Sequence, residues 1–454
     1  MPPTLFSAAQ IARFHAAETA RFLADHPRCV ALQQQAQQHF LFGVPLHWMA
    51  DAPSPVPLVV DRAQGARLFD VDGHTLVDFC LGDTGAMFGH SPAPIARTLA
   101  EQGALGATTM LPSTVALDVA RLLQQRFGLP MWQFTATASD ANRFVLRWAR
   151  AITGRQHIVV FNGCYHGTVD DVFVDLQPGG STHTRASLLG QVHDIARFTR
   201  VVEFNDLPAL RAALAAGDVA CVITEPVLTN IGMVLPEPGF LEGVQAACRE
   251  HGTLLVLDET HTISCGPGGY TRAHGLAPDV LVLGKPIAGG TPGAAYGFTA
   301  DVGARMQAAK RAAPAGHSGI GTTLSAGLLT LKLMRTMLAE VMTEAAYAHM
   351  FAIAQRLAEG LEGVIARRAL PWTVTRIGAR CEVQFAPQRP RNGSEARAAF
   401  NDALEPALQL ALINRGVLLT PFHNMLLASP AHTEADAEAL IAAFDDALAA
   451  LAAT

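Results

Sequence analysis

The sequence predicts an α/β protein built around a mostly parallel sheet. Between about residues 85 and 300, helical runs alternate with short segments that are apolar throughout. Strands that are buried on both faces of a parallel sheet have this composition, whereas strands with one wet face alternate apolar and polar residues. The chain has 454 residues, half of them hydrophobic, which is enough for a sizeable core. We therefore expect one large sheet domain and a smaller second domain.

The elements before the sheet predict helices and then a hairpin. Residues 1–50 have the spacing of amphipathic helices, and the proline-rich segment DAPSPVPLVV (51–60) ends that pattern. ARLFDVDGHTLVDF (66–79) alternates apolar and polar residues around an Asp-Gly turn, as β-hairpins do. The segments that predict the sheet are HIVVF (157–161), VACVIT (219–224), TLLVLD (253–258), DVLVLG (279–284) and AAYGFT (294–299).

The elements after the sheet predict a smaller α+β region. A long helical stretch starts at about residue 322, and WTVTRIGARCEVQF (372–385) and GVLLTP (416–421) follow as strands. The predicted division has three parts. They are an N-terminal helical and hairpin segment of the smaller domain (1–84), the large sheet domain (85–325) and the C-terminal smaller domain (326–454).

Composition excludes several classes of partner. The net charge is −6, and acidic and basic residues are scattered singly, so we expect neither nucleic acid nor an anionic membrane as a partner. No segment is apolar and long enough to span a membrane, and no signal peptide is visible. The seven cysteines are far apart, which predicts neither a zinc site nor a redox pair. We expect a cytoplasmic protein without a metal centre.

Two of the predicted strands end in reactive residues. TLLVLD closes with Asp258, and DVLVLG is followed at once by Lys285, which is one of only three lysines in the chain. Ligands bind at the carboxyl ends of strands in sheets of this kind. A lysine amine there is a candidate nucleophile, and a carboxylate beside a pyridine nitrogen keeps that nitrogen protonated. This pair predicts pyridoxal-phosphate chemistry, although an isolated lysine is more often a solvated surface charge.

The two motifs together resemble a known family. LLVLDETHT, followed 27 residues after Asp258 by LVLGKPIAGGTPGAAYG at Lys285, resembles the class III aminotransferases. Among them the chain is most similar to the glutamate-1-semialdehyde 2,1-aminomutase-like proteins, from about residue 65 to the C-terminus. The resemblance implies a fold type I transferase in which Lys285 holds pyridoxal 5′-phosphate as a Schiff base and Asp258 contacts the ring nitrogen.

The resemblance also implies residues around the cofactor ring. The segment VFNGCYHGTVDD is similar to the family's GCYHG motif, which makes Tyr165 the residue that stacks on the ring, with His166 beside it. VITEPVLTN places Glu225 near the phenolic oxygen and Asn230 behind it. Thr260, directly after the strand of Asp258, is a further candidate contact. The alternative for Tyr165 and His166 is an ordinary place in the core.

A helix start is expected to bind the cofactor phosphate, because backbone amides there are unpaired and the helix dipole favours an anion. FTATASDANRF resembles the family's phosphate turn and aligns Thr137, Ala138, Ser139 and Asp140 with it, although Ala138 replaces a glycine. The alternative is an N-cap without a ligand. In HSGIGTTLSAG, Thr323 matches the threonine that reaches the neighbouring subunit's phosphate, which implies a homodimer with shared active sites.

The expected reaction is transamination between an amino donor that bears a carboxylate and an oxo-acid acceptor, with Lys285 as covalent anchor and general acid/base. Amino-group migration, as in the aminomutase, is the first alternative. LGDTGAM (81–87) stands where the aminomutase has a Ser-Trp-Gly stretch, so the aromatic wall is missing. DETHT also puts Thr260 and His261 where relatives usually carry other side chains.

Two further alternatives remain open. A racemase would use the same lysine and a second proton donor, for which Tyr165, His261 and His317 are candidates. The second is a binding protein that keeps the fold without turnover, and the presence of the reactive residues together argues against it. The candidate substrate contacts are Asp83, Arg380 and His423. Arg380 suits a substrate carboxylate because a guanidinium pairs with it through two hydrogen bonds, and its alternative is a surface position.

Overall fold

The computed structural model describes residues 6–454 and contains both expected classes of secondary structure. The helices are α1 (Ala8–Asp25), α2 (Pro27–Ala36), α3 (Ala93–Gly103), α4 (Thr114–Phe127), α5 (Ala138–Thr153), α6 (Leu207–Leu214), α7 (Phe240–Glu250), α8 (Gly269–Ala273), α9 (Ala300–Ala312), α10 (Leu328–Thr336), α11 (Glu344–Arg367), α12 (Gly393–Ala398), α13 (Leu404–Ile413) and α14 (Glu434–Ala453). No helix among these described residues is long and apolar enough to cross a membrane.

Each predicted apolar segment forms a strand, and several strands that were not predicted are also present. They are β1 (Val60–Gln64), β2 (Arg67–Asp70), β3 (Thr75–Asp78), β4 (Met131–Thr135), β5 (His157–Phe161), β6 (Val174–Leu176), β7 (Thr182–Thr184), β8 (Thr199–Val202), β9 (Val219–Thr224), β10 (Leu254–Asp258), β11 (Val280–Leu283), β12 (Ala294–Phe298), β13 (Thr373–Ile377), β14 (Arg380–Gln384), β15 (Val417–Leu418) and β16 (Met425–Leu427).

The chain forms two compact units. The sheet unit comprises Ala93–Glu344 and Pro390–Arg397, and the terminal unit comprises the described residues through Pro92 with Ala345–Arg389 and Ala398–Thr454. The three-part division at residues 84/85 and 325/326 stays a prediction about the chain.

The sheet unit is built on a seven-stranded sheet in the order β4-β12-β11-β10-β9-β5-β8. Strand β12 is antiparallel to both β11 and β4, and the pairs from β11 through β8 are parallel. The predicted mostly parallel sheet is therefore confirmed. Its central strands are buried along their whole length because the core packs apolar side chains from helix α5 against them.

The terminal unit holds two smaller sheets, with strand orders β1-β2-β3-β15 and β13-β14-β16. The predicted hairpin of β2 and β3 is present, with Leu68 opposite Leu76. GVLLTP does form a strand, β15, but it pairs in parallel with β3 instead of joining β13 and β14. Helices α1 and α13 contact each other, and buried Phe22, Leu76 and Leu410 belong to one hydrophobic cluster.

The long helical stretch predicted from about residue 322 starts later and is interrupted. Helix α10 begins at Leu328, and a π-helical turn at Met337–Val341 separates it from α11. Residues 322–325 instead form a turn in which Ser325 Oγ accepts a hydrogen bond from the Thr322 amide at 3.1 Å. The hydroxyl and glycine residues of that segment favour a turn over a helix.

Candidate active site

Three neighbouring strands of the sheet unit bring the predicted reactive residues to one edge. Strand β10 ends at Asp258, β9 ends one residue before Glu225, and β11 ends two residues before Lys285. Since β9, β10 and β11 are parallel neighbours, their carboxyl ends meet. The sequence prediction of a site at this edge agrees with these positions, while the chemical role of each residue stays a prediction.

Asp258 is a buried carboxylate surrounded by hydrogen-bond donors. Its Oδ1 accepts from the Thr260 amide at 3.0 Å and the Thr260 hydroxyl at 2.6 Å. Its Oδ2 accepts from Asn142 Nδ2 at 2.8 Å and contacts His166 Nδ1 at 3.0 Å. Burial alone would raise the pKa of Asp258, but the His166 hydrogen bond and charge, with the Thr260 and Asn142 hydrogen bonds, lower it to about 2. Asp258 is therefore held ionised.

His166 supplies the positive charge that faces this carboxylate. The ring is buried, which disfavours the charged form, but the hydrogen bonds and charges of Asp258 and Cys164 together outweigh burial and raise the pKa of His166 to about 10. Its backbone carbonyl accepts from Asn142 Nδ2 at 3.0 Å, so Asn142 contacts both members of the pair. The sequence did not single out Asn142, since an asparagine inside a helical run carries no distinguishing local pattern.

Glu225 is the second buried acid at the edge. Its Oε2 accepts from the Thr229 amide at 3.1 Å, the Thr229 hydroxyl at 2.6 Å and Asn230 Nδ2 at 3.2 Å. Its Oε1 lies 3.4 Å from the Tyr165 amide. Burial raises the pKa of Glu225, and the nearby His166 charge and the Thr229 hydrogen bonds oppose that rise. The predicted neighbours Tyr165, Glu225 and Asn230 do lie together.

Lys285 is in direct contact with a histidine. Its Nζ lies 2.7 Å from His261 Nε2, and His261 is 5% exposed. Lys285 itself has a φ of 49°, in the left-handed region that non-glycine residues seldom occupy. Such backbone strain persists where the surrounding structure fixes it, often at functional sites. The sequence signalled His261 only as an unusual residue in DETHT, because the contact requires β10 and β11 to be adjacent.

The start of helix α5 lies next to this edge. Thr137 is the N-cap, and its hydroxyl accepts from the Asp140 amide at 3.1 Å. The first helical amides, at Ala138 and Ser139, have no partner within a helix by its geometry. A Cβ added to Gly284 would lie 2.7 Å from the Cβ of Ala138, so the segment that carries Lys285 packs directly on this helix start. Ala138 is helical here, so the missing glycine does not prevent the turn.

Ser139 also contacts the segment that carries Tyr165 and His166. Its Oγ accepts from the Thr168 amide at 3.0 Å, and a Cβ added to Gly167 would come within 2.1 Å of the same oxygen. Gly167 has a φ of 78°, which glycine adopts without strain. Tyr165 is 38% exposed, as expected of a ring that faces an open space rather than the core. Its predicted stacking stays untested.

The three substrate candidates lie in the terminal unit, where they form one cluster. Arg380, in β14, is fully buried and donates to the hydroxyl of Thr84, the neighbour of Asp83. His423 Nδ1 contacts Glu382 Oε1 at 3.0 Å. Burial opposes the charged form of His423, but Glu382 and the charge of Asp83 raise its pKa. The surface alternative for Arg380 is therefore wrong, whereas substrate contact by these residues stays a prediction.

Thr323 is exposed in the turn at residues 322–325 of the sheet unit. A partner-subunit role for it remains a prediction.

Comparisons with known proteins identify the family of the chain. The family model for class-III aminotransferases matches residues 48–448. A protein named glutamate-1-semialdehyde 2,1-aminomutase, from Anaeromyxobacter sp. (strain K), is 35% identical over 393 residues, which are 85% of this chain and 89% of that protein.

Solved structures are similar over nearly the whole chain. A glutamate-1-semialdehyde-aminomutase from Pseudomonas aeruginosa PAO1 is 48% identical, with a TM-score of 0.96 over 98% of this chain and 99% of that one. A variant of that protein was solved in complex with PMP. A β-phenylalanine aminotransferase from Variovorax paradoxus is 26% identical, with a TM-score of 0.85 over 98% of both chains.

Proposed function

Because this chain belongs to the class-III aminotransferase family, we propose that it moves an amino group between an amino acid or related amine and an oxo acid. It is a pyridoxal-phosphate enzyme of fold type I. The observation that carries the proposal is the juxtaposition, at adjacent strand ends, of a lysine amine and a buried ionised carboxylate.

The described residues fit pyridoxal 5′-phosphate in three respects. The ionised Asp258 suits a protonated ring nitrogen, because the two charges are opposite. The unpaired amides at the start of α5 suit a phosphate. The Lys285 amine suits the aldehyde. We therefore assign Asp258 to the ring nitrogen, the amides of Ala138 and Ser139 to the phosphate, and Lys285 to the aldehyde. Tyr165 is assigned to the ring face. The 48% identical protein solved with PMP supports the assignment.

The bound cofactor supplies an electron sink, which stabilises negative charge at the substrate carbon next to the amine. Lys285 Nζ would hold the cofactor covalently until the substrate amine displaces it, and the freed lysine amine would then move a proton to and from that substrate carbon. Asp258, itself held ionised by His166, Thr260 and Asn142, keeps the proton on the ring nitrogen. Glu225, which accepts hydrogen bonds from Thr229 and Asn230, would lie near the phenolic oxygen of the ring and orient it.

Transamination is supported over amino-group migration by the segment LGDTGAM (81–87). It contains no aromatic residue, and Thr84 within it is buried and accepts from Arg380. Amino-group migration is the second candidate, because the relative from Anaeromyxobacter and the structure from P. aeruginosa both carry the aminomutase name. Transamination needs an oxo-acid acceptor, whereas migration of the amino group within one molecule does not.

Omission of the oxo-acid acceptor is therefore expected to limit the enzyme to one turnover. The amine substrate would leave its amino group on the cofactor, so the absorption band of the lysine-bound cofactor should disappear with about one amine consumed per chain. Addition of an oxo acid should restore the band and allow turnover. The measurement is a screen of carboxylated amines by absorbance, with product analysis. Continuous conversion of one compound into its amino-shifted isomer, or its enantiomer, without acceptor would contradict transamination.

His261 is expected to position the Lys285 amine for proton transfer, since their nitrogens are 2.7 Å apart. His261→Ala should lower kcat by about 10²-fold, within the usual contribution of acid/base groups, and leave KM within a few-fold. His261→Gln should recover much of the loss because an amide can still hydrogen-bond the amine. His183→Ala, at an exposed histidine of β7, is the matched control. Unchanged kcat in His261→Ala would refute this role, as would a loss confined to KM.

We propose that the enzyme works as a homodimer. Large apolar side chains are exposed in the loop between α3 and α4 of the sheet unit. They are Leu105 (75% exposed), Met110 (78%) and Leu111 (72%). The Leu329 amide donates to the Ala107 carbonyl at 3.0 Å, so this segment adjoins the start of α10, just after the turn that contains Thr323. Exposed apolar patches of this kind favour protein contacts.

A further inference from the structure

Two histidines and an aspartate of the terminal unit bring three metal-binding atoms together. His26 lies at the junction of α1 and α2, while Asp70 and His74 lie at the ends of the β2–β3 turn. Asp70 Oδ2 is 3.3 Å from His26 Nε2 and 2.8 Å from His74 Nδ1. All three ligand atoms lie within 4.8 Å of one another. This cluster uses none of the residues assigned to amino-group transfer.

The hydrogen bonds of His26 fix which nitrogen faces the aspartate. Its Nδ1 lies 2.8 Å from the Phe22 carbonyl oxygen, and a carbonyl can only accept, so Nδ1 carries a hydrogen. In the neutral ring, Nε2 then presents a lone pair to the Asp70 carboxylate, which is also an acceptor. Two acceptors 3.3 Å apart repel each other unless a cation or a proton lies between them. The site therefore calls for positive charge.

We propose that His26, Asp70 and His74 bind a divalent transition-metal ion, with zinc as the reference metal. Zinc prefers nitrogen and oxygen ligands at about 2.0–2.2 Å in a tetrahedron, which places the ligand atoms about 3.3 Å apart. The separation of His26 from Asp70 already matches this value. The distance of 2.8 Å from His74 Nδ1 to Asp70 Oδ2 must lengthen by a few tenths of an ångström, and the 42% exposed side chain of His74 has room for this shift. A water molecule would fill the fourth position.

The surroundings hold the ligands as metal sites require. A metal-binding histidine usually donates its other ring hydrogen to an acceptor, and the Phe22 carbonyl does this for His26. The Phe22 ring also stacks on His26, with centroids 3.9 Å apart. Asp70 Oδ1 accepts from the His74 amide at 2.7 Å, which leaves Oδ2 for the ion. The cysteine spacing gave no sign of a metal centre, because this donor set contains no cysteine.

The turn is tied to α2 even without an ion. Asp72, within the same turn, accepts from the amides of Arg28 and Cys29 at the start of α2, at 2.7 and 3.0 Å. The ligands are therefore positioned in advance, and a bound ion would clamp the α1–α2 junction to the hairpin.

The test uses the cofactor-loaded enzyme, stripped of metal with a chelator and dialysed. Zinc chloride is then titrated, with bound zinc measured by plasma mass spectrometry and stability by thermal unfolding. We expect one zinc per chain and a rise in Tm of about 2 °C or more. His74→Ala should weaken zinc binding by more than about 100-fold at unchanged cofactor content, because it removes a direct ligand. His39→Ala, at an exposed histidine of the same unit, is the matched control.

His74 is the informative position because its partly exposed side chain can be shortened without opening the core. Absence of zinc binding by the wild-type protein would overturn the proposal. Equal zinc binding by wild type and His74→Ala would overturn it too. Loss of binding in His74→Ala but not in His39→Ala, at equal cofactor content, supports it.

Discussion

Replacing Lys285 with alanine is expected to abolish amino-group transfer, with kcat falling at least about 10⁴-fold. The substitution removes the amine that we propose as both the covalent anchor and the proton-transferring group, and proton transfer alone is worth about 10²–10⁴-fold. The fold should remain, because alanine keeps the Cβ at the same left-handed backbone position and the lysine is only partly buried. Thermal unfolding and steady-state kinetics check the two halves of this expectation.

A control for Lys285 is simple to design because the chain has only two other lysines. Its other lysines are Lys310, exposed in α9, and Lys332, partly buried in α10. Lys310→Ala should keep wild-type kcat. Borohydride treatment of the loaded wild-type enzyme should add one cofactor mass to the peptide that contains residue 285. An adduct on another lysine, or appreciable turnover by Lys285→Ala, would refute the assignment of the anchor.

Asp258→Asn is expected to cost about 10²–10³-fold or more in kcat. An amide has nearly the same shape as the carboxylate but carries no charge, so it cannot hold a proton on the ring nitrogen. KM for the amine should change little, because Asp258 is not assigned to substrate contact. A wild-type kcat in Asp258→Asn would show that the carboxylate has no such role. Asn142→Ala, which removes only one donor to Asp258, should be milder.

Asp258→Asn should also change how the free energy of unfolding depends on pH. The pKa of His166 is raised from 6.5 to about 10. The contribution of His166 to the free energy of unfolding is therefore fully present below pH 6.5 and is lost as the pH rises toward 10. The pKa of Asp258 is lowered from 3.8 to about 2, so its contribution is present above pH 3.8 and is lost toward pH 2. The stability gap between wild type and Asp258→Asn should therefore be widest between about pH 4 and 6.5.

Denaturant titration at several pH values measures this gap. A gap that stays constant from pH 6 to pH 10 would show that His166 and Asp258 do not act as an ion pair.

The central strands could be predicted from the sequence because strands buried on both faces are apolar throughout. Segment 157–161 coincides with β5, and segment 219–224 with β9. The two edge strands lacked that signal. Strand β4 contains Gln133 and is only partly buried, and β8 is four residues long and contains Arg200. Short edge strands with polar residues resemble loops in a sequence.

The site could be predicted as a set of residues but not as a network. Asp258, Lys285 and Glu225 follow apolar strands, so their positions at the edge could be inferred locally. The contacts of Asn142 with Asp258 and of Lys285 with His261 span 116 and 24 residues. Such contacts depend on which strands are neighbours, and no local pattern encodes strand order. The pairing of β15 with β3 escaped prediction for the same reason.

The tight contact of Gly167 with Ser139 has a mechanical consequence. Gly167 adjoins His166, which pairs with Asp258, while Ser139 lies in the first turn of α5. Because Gly167 and Ser139 are in contact, a movement of this helix start would be transmitted to His166 through a residue without a side chain. Any side chain at position 167 would therefore separate the helix start from His166 and disturb the pairing of His166 with Asp258.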